Sequence, residues 1–151
     1  MASQETLFKY IPQIEVSLVR EIQVSSPRYS CSEAVAKSEI AKDLLKSDRE
    51  KFICLHLNIK NQLISFEAVS TGSLTASIVH PREVYKAAIL ANAASVVFMH
   101  NHPSGDPEPS LDDIEVTRRL AKAGAILGIS VLDHIIVAQK DYFSFKQKNM
   151  M

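Results

Sequence analysis

Apolar residues cluster along this chain in short runs separated by polar breaks. Residues 51–59 contain Phe52, Ile53, Cys54, Leu55 and Leu57 in near-continuous succession and read as a buried strand. Lys60-Asn61 can turn the chain, and residues 63–69 return as a second strand, giving a hairpin that Thr71-Gly72 ends. Upstream, Ile14, Val16 and Leu18, then Ile22 and Val24, partly alternate and predict a strand over 14–24, which Pro27 breaks. Ser30 and Glu33 have capping-box spacing. The helix expected after them would carry Ala36, Ile40, Leu44 and Leu45 on one stripe.

The second half alternates helix and strand patterns. Pro81 suits a first helical turn, so a helix is expected over 82–94. Residues 95–99 (Ser95-Val96-Val97-Phe98-Met99) form a short buried strand. Pro103, Gly105, Pro107 and Pro109 then hold the chain out of regular structure. A helix over 110–127, closed by Gly128, precedes strands at 131–138 and 142–145. The order strand, helix, hairpin, helix, strand, helix, strand, strand predicts an α/β domain, a mixed sheet with helices packed on it. Residues 1–24 form a lead and a strand, the first 13 loosely held, and 25–151 form one domain.

Composition narrows the class. The 151 residues are 46% hydrophobic and 23% charged, enough for one domain with a real core. Lys plus Arg and Asp plus Glu number 17 each, and neither half is basic, which disfavours a protein living by phosphate contacts. No stretch approaches the length of an apolar membrane span, and residues 1–10 lack the apolar core of a secretion signal. Cys31 and Cys54 have no metal-like spacing and are expected to pack as small apolar residues without a disulfide. These features predict a cytoplasmic protein.

The chemistry lies in residues 100–113, His-Asn-His-Pro-Ser-Gly-Asp-Pro-Glu-Pro-Ser-Leu-Asp-Asp. Two imidazoles and a carboxylate can occupy three positions around a zinc ion and leave the fourth for water. His100 and His102 stand two apart at a strand end, where residues i and i+2 point the same way. Asp113 lies one turn into the following helix and can return its carboxylate over the loop, with the Ser110 hydroxyl near the water. Ser110 and Asp113 also have the spacing of a capping box, a role compatible with metal binding. The literal triplet His100-Asn101-His102 matches the name of a nuclease signature, but there the residues are scattered over a hairpin and a helix. Asn101 and Ser104 are placed to fix the shape of the loop.

The pattern H-x-H-x7-S-x2-D is similar to the signature of JAB/MPN-domain (JAMM) zinc metalloproteases. The longer string H-N-H-P-S-G-D-P-E-P-S, with V-H-P-R-E-V at 79–84 and L-D-H-I-I-V at 132–137, resembles the RadC-type bacterial branch over about residues 25–148. The resemblance implies a JAB/MPN-like (cytidine deaminase-like) fold, a twisted mixed sheet with flanking helices. RadC proteins usually also have an N-terminal helical region; the chain is too short for it and is expected to be a stand-alone RadC-like domain. It implies zinc held by His100, His102 and Asp113, with Ser110 bonding the water or the oxyanion. An upstream Glu would be general base through a zinc-activated water, cleaving a peptide or isopeptide bond. Glu50, before the buried strand, matches that place best; Glu83 and Glu67 are the alternatives, and a solvated charge is the plain reading of Glu50.

Other residues stay open. His134 reads as a hydrogen-bonded strand residue or, if functional, as a partner behind the site or a substrate-facing residue. His56 alternates with Leu55 and Leu57 and belongs on the opposite face. His80 can start a helix, and Arg82 is a candidate anchor for the motif loop. The resemblance also admits a non-catalytic scaffold, since JAB/MPN domains serve as assembly modules, and a DNA-associated role suggested by the repair-linked RadC name. The expected partner is a protein or peptide substrate, with no membrane; DNA association lacks support from charge, and oligomeric state is open. Because bacteria generally lack ubiquitin, the deubiquitinating role of eukaryotic relatives does not transfer.

Overall fold

A computed structural model of the chain describes residues 12–15, 27–72 and 79–151. Its elements are α1 (Ser32–Ala36), α2 (Glu39–Leu44), β1 (Lys51–Leu57), β2 (Leu63–Thr71), α3 (Pro81–Leu90), β3 (Ser95–Asn101), α4 (Leu111–Leu127), β4 (Ser130–Val137) and β5 (Tyr142–Ser144). The five strands form one mixed sheet in the order β2-β1-β3-β4-β5. β3 and β4 run parallel and the other neighbours antiparallel. Only the parallel pair needs a long crossover, and α4 supplies it.

The sheet is covered on both faces, which is why β1 and β3 read as nearly unbroken apolar runs. Phe52, Cys54, Val96 and Phe98 face α3 and α4, packing with Val84, Tyr85, Ala88, Val116 and Leu120. Their alternate neighbours Ile53, Leu55, Leu57, Val97 and Met99 face α1 and α2, packing with Val35, Ala41 and Leu44. This is the mixed α/β architecture of a JAB/MPN-like fold. His56 lies on the α3/α4 face, as its alternation with Leu55 and Leu57 requires. It is buried and 2.7 Å from Ser65 Oγ through Nδ1.

Several expectations need correction. The single helix expected from Ala36 to Leu45 is two short helices broken at Lys37-Ser38. Ser38 accepts from the Ala41 amide and starts α2 afresh. The Ser30/Glu33 box does not form. The N-cap is Cys31, without a side-chain cap bond, while Ser32 donates its hydroxyl to Asp133 and Glu33 pairs with Lys37. Tertiary anchoring at Ser32 thus overrides the local capping signal. Cys31 is exposed rather than packed; Cys54 is buried, and both thiols are free. α3 stops at Leu90, four residues short of the expected 94, because Asn92 turns left-handed at φ 54°. In the strand expected over 14–24, residues 14 and 15 are irregular and exposed, and 16–24 lie outside the described residues, as do 1–11 of the lead. Among the described residues, no helix is long and apolar enough to cross a membrane.

Candidate metal centre

β3 runs two residues further than expected, to Asn101, carrying His100 on the strand and His102 just beyond it. Both lie at the carboxyl end of a parallel strand, where open α/β sheets place their ligands. His102 is held there by its amide, which donates to Val137 O of β4 at 3.0 Å. The loop then reverses, with Gly105 at φ 87°, a left-handed angle that suits glycine. It enters α4 at Ser110, whose hydroxyl accepts from the Asp113 amide at 3.1 Å while Asp113 Oδ2 accepts from the Ser110 amide at 2.8 Å. The capping box is therefore real, and it aims the carboxylate back at the strand end. The helix N-terminus favours that negative charge.

The three side chains meet. His100 Nε2 is 3.0 Å from His102 Nε2 and 3.2 Å from Asp113 Oδ1, and His102 Nε2 is 3.4 Å from Asp113 Oδ2. Their ligand atoms lie within 4.8 Å of one another, and among the described residues they form the one group of at least three His, Cys, Asp or Glu able to hold a metal. The donor chemistry fits a divalent cation. His102 Nδ1 is 2.8 Å from the Asp106 carbonyl, which can only accept, so a ring proton sits on Nδ1 and, in the neutral ring, Nε2 presents a lone pair. A lone pair, a second imidazole nitrogen and a carboxylate crowded together call for a cation between them.

The electrostatics follow from burial and mutual contact. Burial lowers His100 despite the opposing pull of Asp113. The contact with Asp113 raises the half-buried His102 against its burial. Burial pushes Asp113 up, but bonds to both imidazoles outweigh it and hold the carboxyl far below its ordinary range. His134 is fully buried and held well below the usual imidazole range, chiefly by desolvation.

Glu50 belongs to the same place. β1 and β3 pair Phe52 with His100, and continuing that antiparallel register sets Glu50 opposite His102. Glu50 lines a cleft of about 300 Å³ with His102, Ser104, Asp106, Glu108, Pro109, Ser110 and Asp113. Asn101 fixes it from both sides: its side chain accepts from the Lys51 amide at 2.8 Å and donates to Arg49 O at 3.0 Å. The alternatives lie elsewhere. Glu83 is exposed on α3 and bridges to Lys86, and Glu67 stands on β2 opposite Cys54 with a buried Oε2 that has no hydrogen-bond partner among the described residues. His80 caps α3 by accepting from the Arg82 amide, while the exposed Arg82 side chain lies 3.8 Å from Glu83. Asn101, rather than Arg82, is thus the residue whose side chain ties the segments of the site together.

Two residues stand behind the site: His134, for which the sequence left that place open beside a plain structural role, and Thr117, which it did not point to. His134 Nε2 is 2.8 Å from His100 Nδ1, and Thr117 Oγ1 is 2.6 Å from both His134 Nδ1 and Asp113 O. Thr117 lies one helical turn after Asp113, the spacing that puts both on one face of α4; that was its available signal.

With this geometry in view, comparison with known proteins is direct. The chain matches the family described as the RadC-like JAB domain over residues 29–150. It belongs to that family. It is 48% identical over 136 residues to a UPF0758 protein of Shouchella clausii, covering 90% of this chain and 56% of the relative. It is 51% identical over 112 residues to a UPF0758 protein of Desulforamulus reducens, covering 74% of this chain and 49% of the relative. A UPF0758 protein of Methanosarcina acetivorans is 55% identical over 103 residues, 68% of this chain and 45% of the relative. The chain spans about half the length of these curated relatives.

Proposed function

We propose that this domain is a zinc-dependent metallopeptidase-type hydrolase that cleaves a peptide or isopeptide bond. The observation that carries the reading is the convergence of His100, His102 and Asp113 on one point beside Glu50, in a cleft open to solvent. Zinc held by those three side chains would supply Lewis acidity, bringing the pKa of water to about 7 and polarising a carbonyl. Glu50 is the proton carrier: its carboxylate takes a proton from the attacking water and delivers it to the leaving amine. Ser110 accepts from the Asp113 amide through its oxygen, which leaves its own hydroxyl proton to donate to the developing oxyanion. Asp106 and Glu108 add further carboxylates to the cleft lining, which favours a peptide over a nucleic-acid backbone.

The test is hydrolysis of a peptide library by purified protein, with metal content measured on the same sample. The expected result is stoichiometric zinc and cleavage that a chelator stops and added zinc restores. Zinc bound without any cleavage would favour a non-catalytic scaffold, and cleavage that survives full removal of metal would contradict the reading.

A further inference from the structure

His100 is buried, and its metal-facing nitrogen can bind an ion only if the ring proton sits on the other nitrogen. What lies behind that other nitrogen therefore decides whether the site is preset. The contacts there form a single file: Asp113 O, Thr117 Oγ1, His134 Nδ1, His134 Nε2, His100 Nδ1, with successive separations of 2.6, 2.6 and 2.8 Å across the three hydrogen bonds.

The protons along this file can be counted. The Asp113 carbonyl has no proton to give, so Thr117 donates its only one there. Its oxygen must then accept from His134, which puts a proton on His134 Nδ1. The His134 ring is enclosed by Phe145 (stacked, centroids 4.9 Å apart), Phe52 (5.4 Å) and Phe98 (6.1 Å), surroundings that favour an uncharged imidazole. Its Nε2 is then bare and accepts from His100 Nδ1–H. The lone pair of His100 Nε2 is left facing His102 and Asp113. With a cation at that point, every contact in the file carries one proton and none faces lone pair to lone pair.

We propose that Thr117 and His134 are positioning residues that hold His100 in the tautomer protonated on Nδ1, presetting its Nε2 for a divalent cation. The inference rests on the metal-binding reading above. Metal-ligating histidines usually donate their second N–H to a carboxylate, a carbonyl or water. Here the acceptor is a second neutral imidazole, whose own tautomer is set by a threonine hydroxyl. Metal affinity consequently depends on a hydroxyl that touches neither the ion nor the cleft.

The experiment is a zinc competition titration against a chromophoric chelator, with imidazole nitrogen–proton correlation spectra of the zinc-loaded protein. Thr117→Val keeps the shape and removes the hydroxyl; Thr117→Ser keeps the hydroxyl. The wild type is expected to show both His100 and His134 protonated on Nδ1. Thr117→Val should bind zinc roughly 10- to 100-fold more weakly, and Thr117→Ser should return to within a few-fold of wild type. A proton on His134 Nε2 in the zinc-loaded wild type would overturn the proposal, as would wild-type zinc affinity in Thr117→Val. Absence of zinc binding by the wild type would overturn the metal reading itself, which separates the two failures.

Discussion

At the scale of single residues, the proposed ligands are distinct from Glu50, the group proposed to move protons. Glu50 contacts the cleft without belonging to the ligand trio, so removing its charge should separate binding from turnover. Glu50→Gln is expected to keep zinc at wild-type stoichiometry and to lose roughly 10²- to 10⁴-fold in peptide hydrolysis, read by turnover and metal content on one preparation. Full activity in that variant would remove Glu50 from the mechanism. A second residue-scale prediction concerns His56, whose pKa is lowered from 6.5 to about 4 by burial. The unfolded chain then binds the proton more readily than the folded one. The stability contributed is complete above the unfolded pKa and is lost as pH falls toward the folded value. The loss between pH about 7.5 and about 5 is about 2 kcal/mol, and His56→Asn should remove that part of the acid sensitivity in urea titrations.

The sequence made the candidate ligands legible because they come from one short segment: a strand end, a reversing loop and a helix start, each with its own local signal. Glu50 was harder, because nothing local distinguishes it from the charged run Asp48-Arg49 before it. Only the β1/β3 register brings it opposite His102, and strand register is a tertiary fact. His134 and Thr117 were less visible still, since their relation to His100 depends on a parallel strand pairing and a helix crossing the sheet.

At the scale of elements, Asn101 is the hinge between sheet and site. Its buried side chain takes the Lys51 amide and the Arg49 carbonyl, so truncation strips the Lys51 amide of its acceptor and leaves the Arg49 carbonyl with the Ser47 hydroxyl alone. Asn101→Ala should cost about 2 kcal/mol in chemical denaturation. It should lower turnover more than zinc affinity, because the segment released carries Glu50 and none of the three ligands. Equal losses in both would argue against this division. The contact between α3 and α4 is tight for a different reason. A Cβ on Gly124 would lie 2.5 Å from both Ile129 O and the Tyr85 hydroxyl, which itself donates to Leu120 O at 2.7 Å. Gly124→Ala should therefore destabilise the fold by about 1–3 kcal/mol, measured by thermal unfolding, while zinc affinity stays at the wild-type value.

Element existence was read well where periodicity or continuous apolarity was strong, in β1, β2, β3 and α4. It failed where a tertiary contact competes with a local cap. Ser32 bonds Asp133 of β4, and that tie, with a fresh cap at Ser38, splits the first helix in two. Asn92 ended α3 early for a reason invisible to hydrophobic spacing: its backbone sits in the left-handed region.

At the scale of the whole molecule, the sheet brings together two chain segments far apart in sequence, and the ion would join β3 to α4. Zinc that binds only the folded state stabilises it by mass action, about 2.7 kcal/mol when free zinc is 100 times its dissociation constant. A chelator should lower the melting temperature of the wild type and leave that of His102→Ala unchanged. The net charge of zero and the carboxylates of the cleft give no support to a polyanionic partner.

The central claim is that His100, His102 and Asp113 hold a divalent ion. The most direct measurement is an anomalous difference map recorded on both sides of the zinc edge from crystals of the zinc-loaded protein. The account predicts a single strong peak within bonding distance of His100 Nε2, His102 Nε2 and an Asp113 carboxylate oxygen, vanishing below the edge. A map with no peak at that point, or with zinc held by other residues, would contradict it.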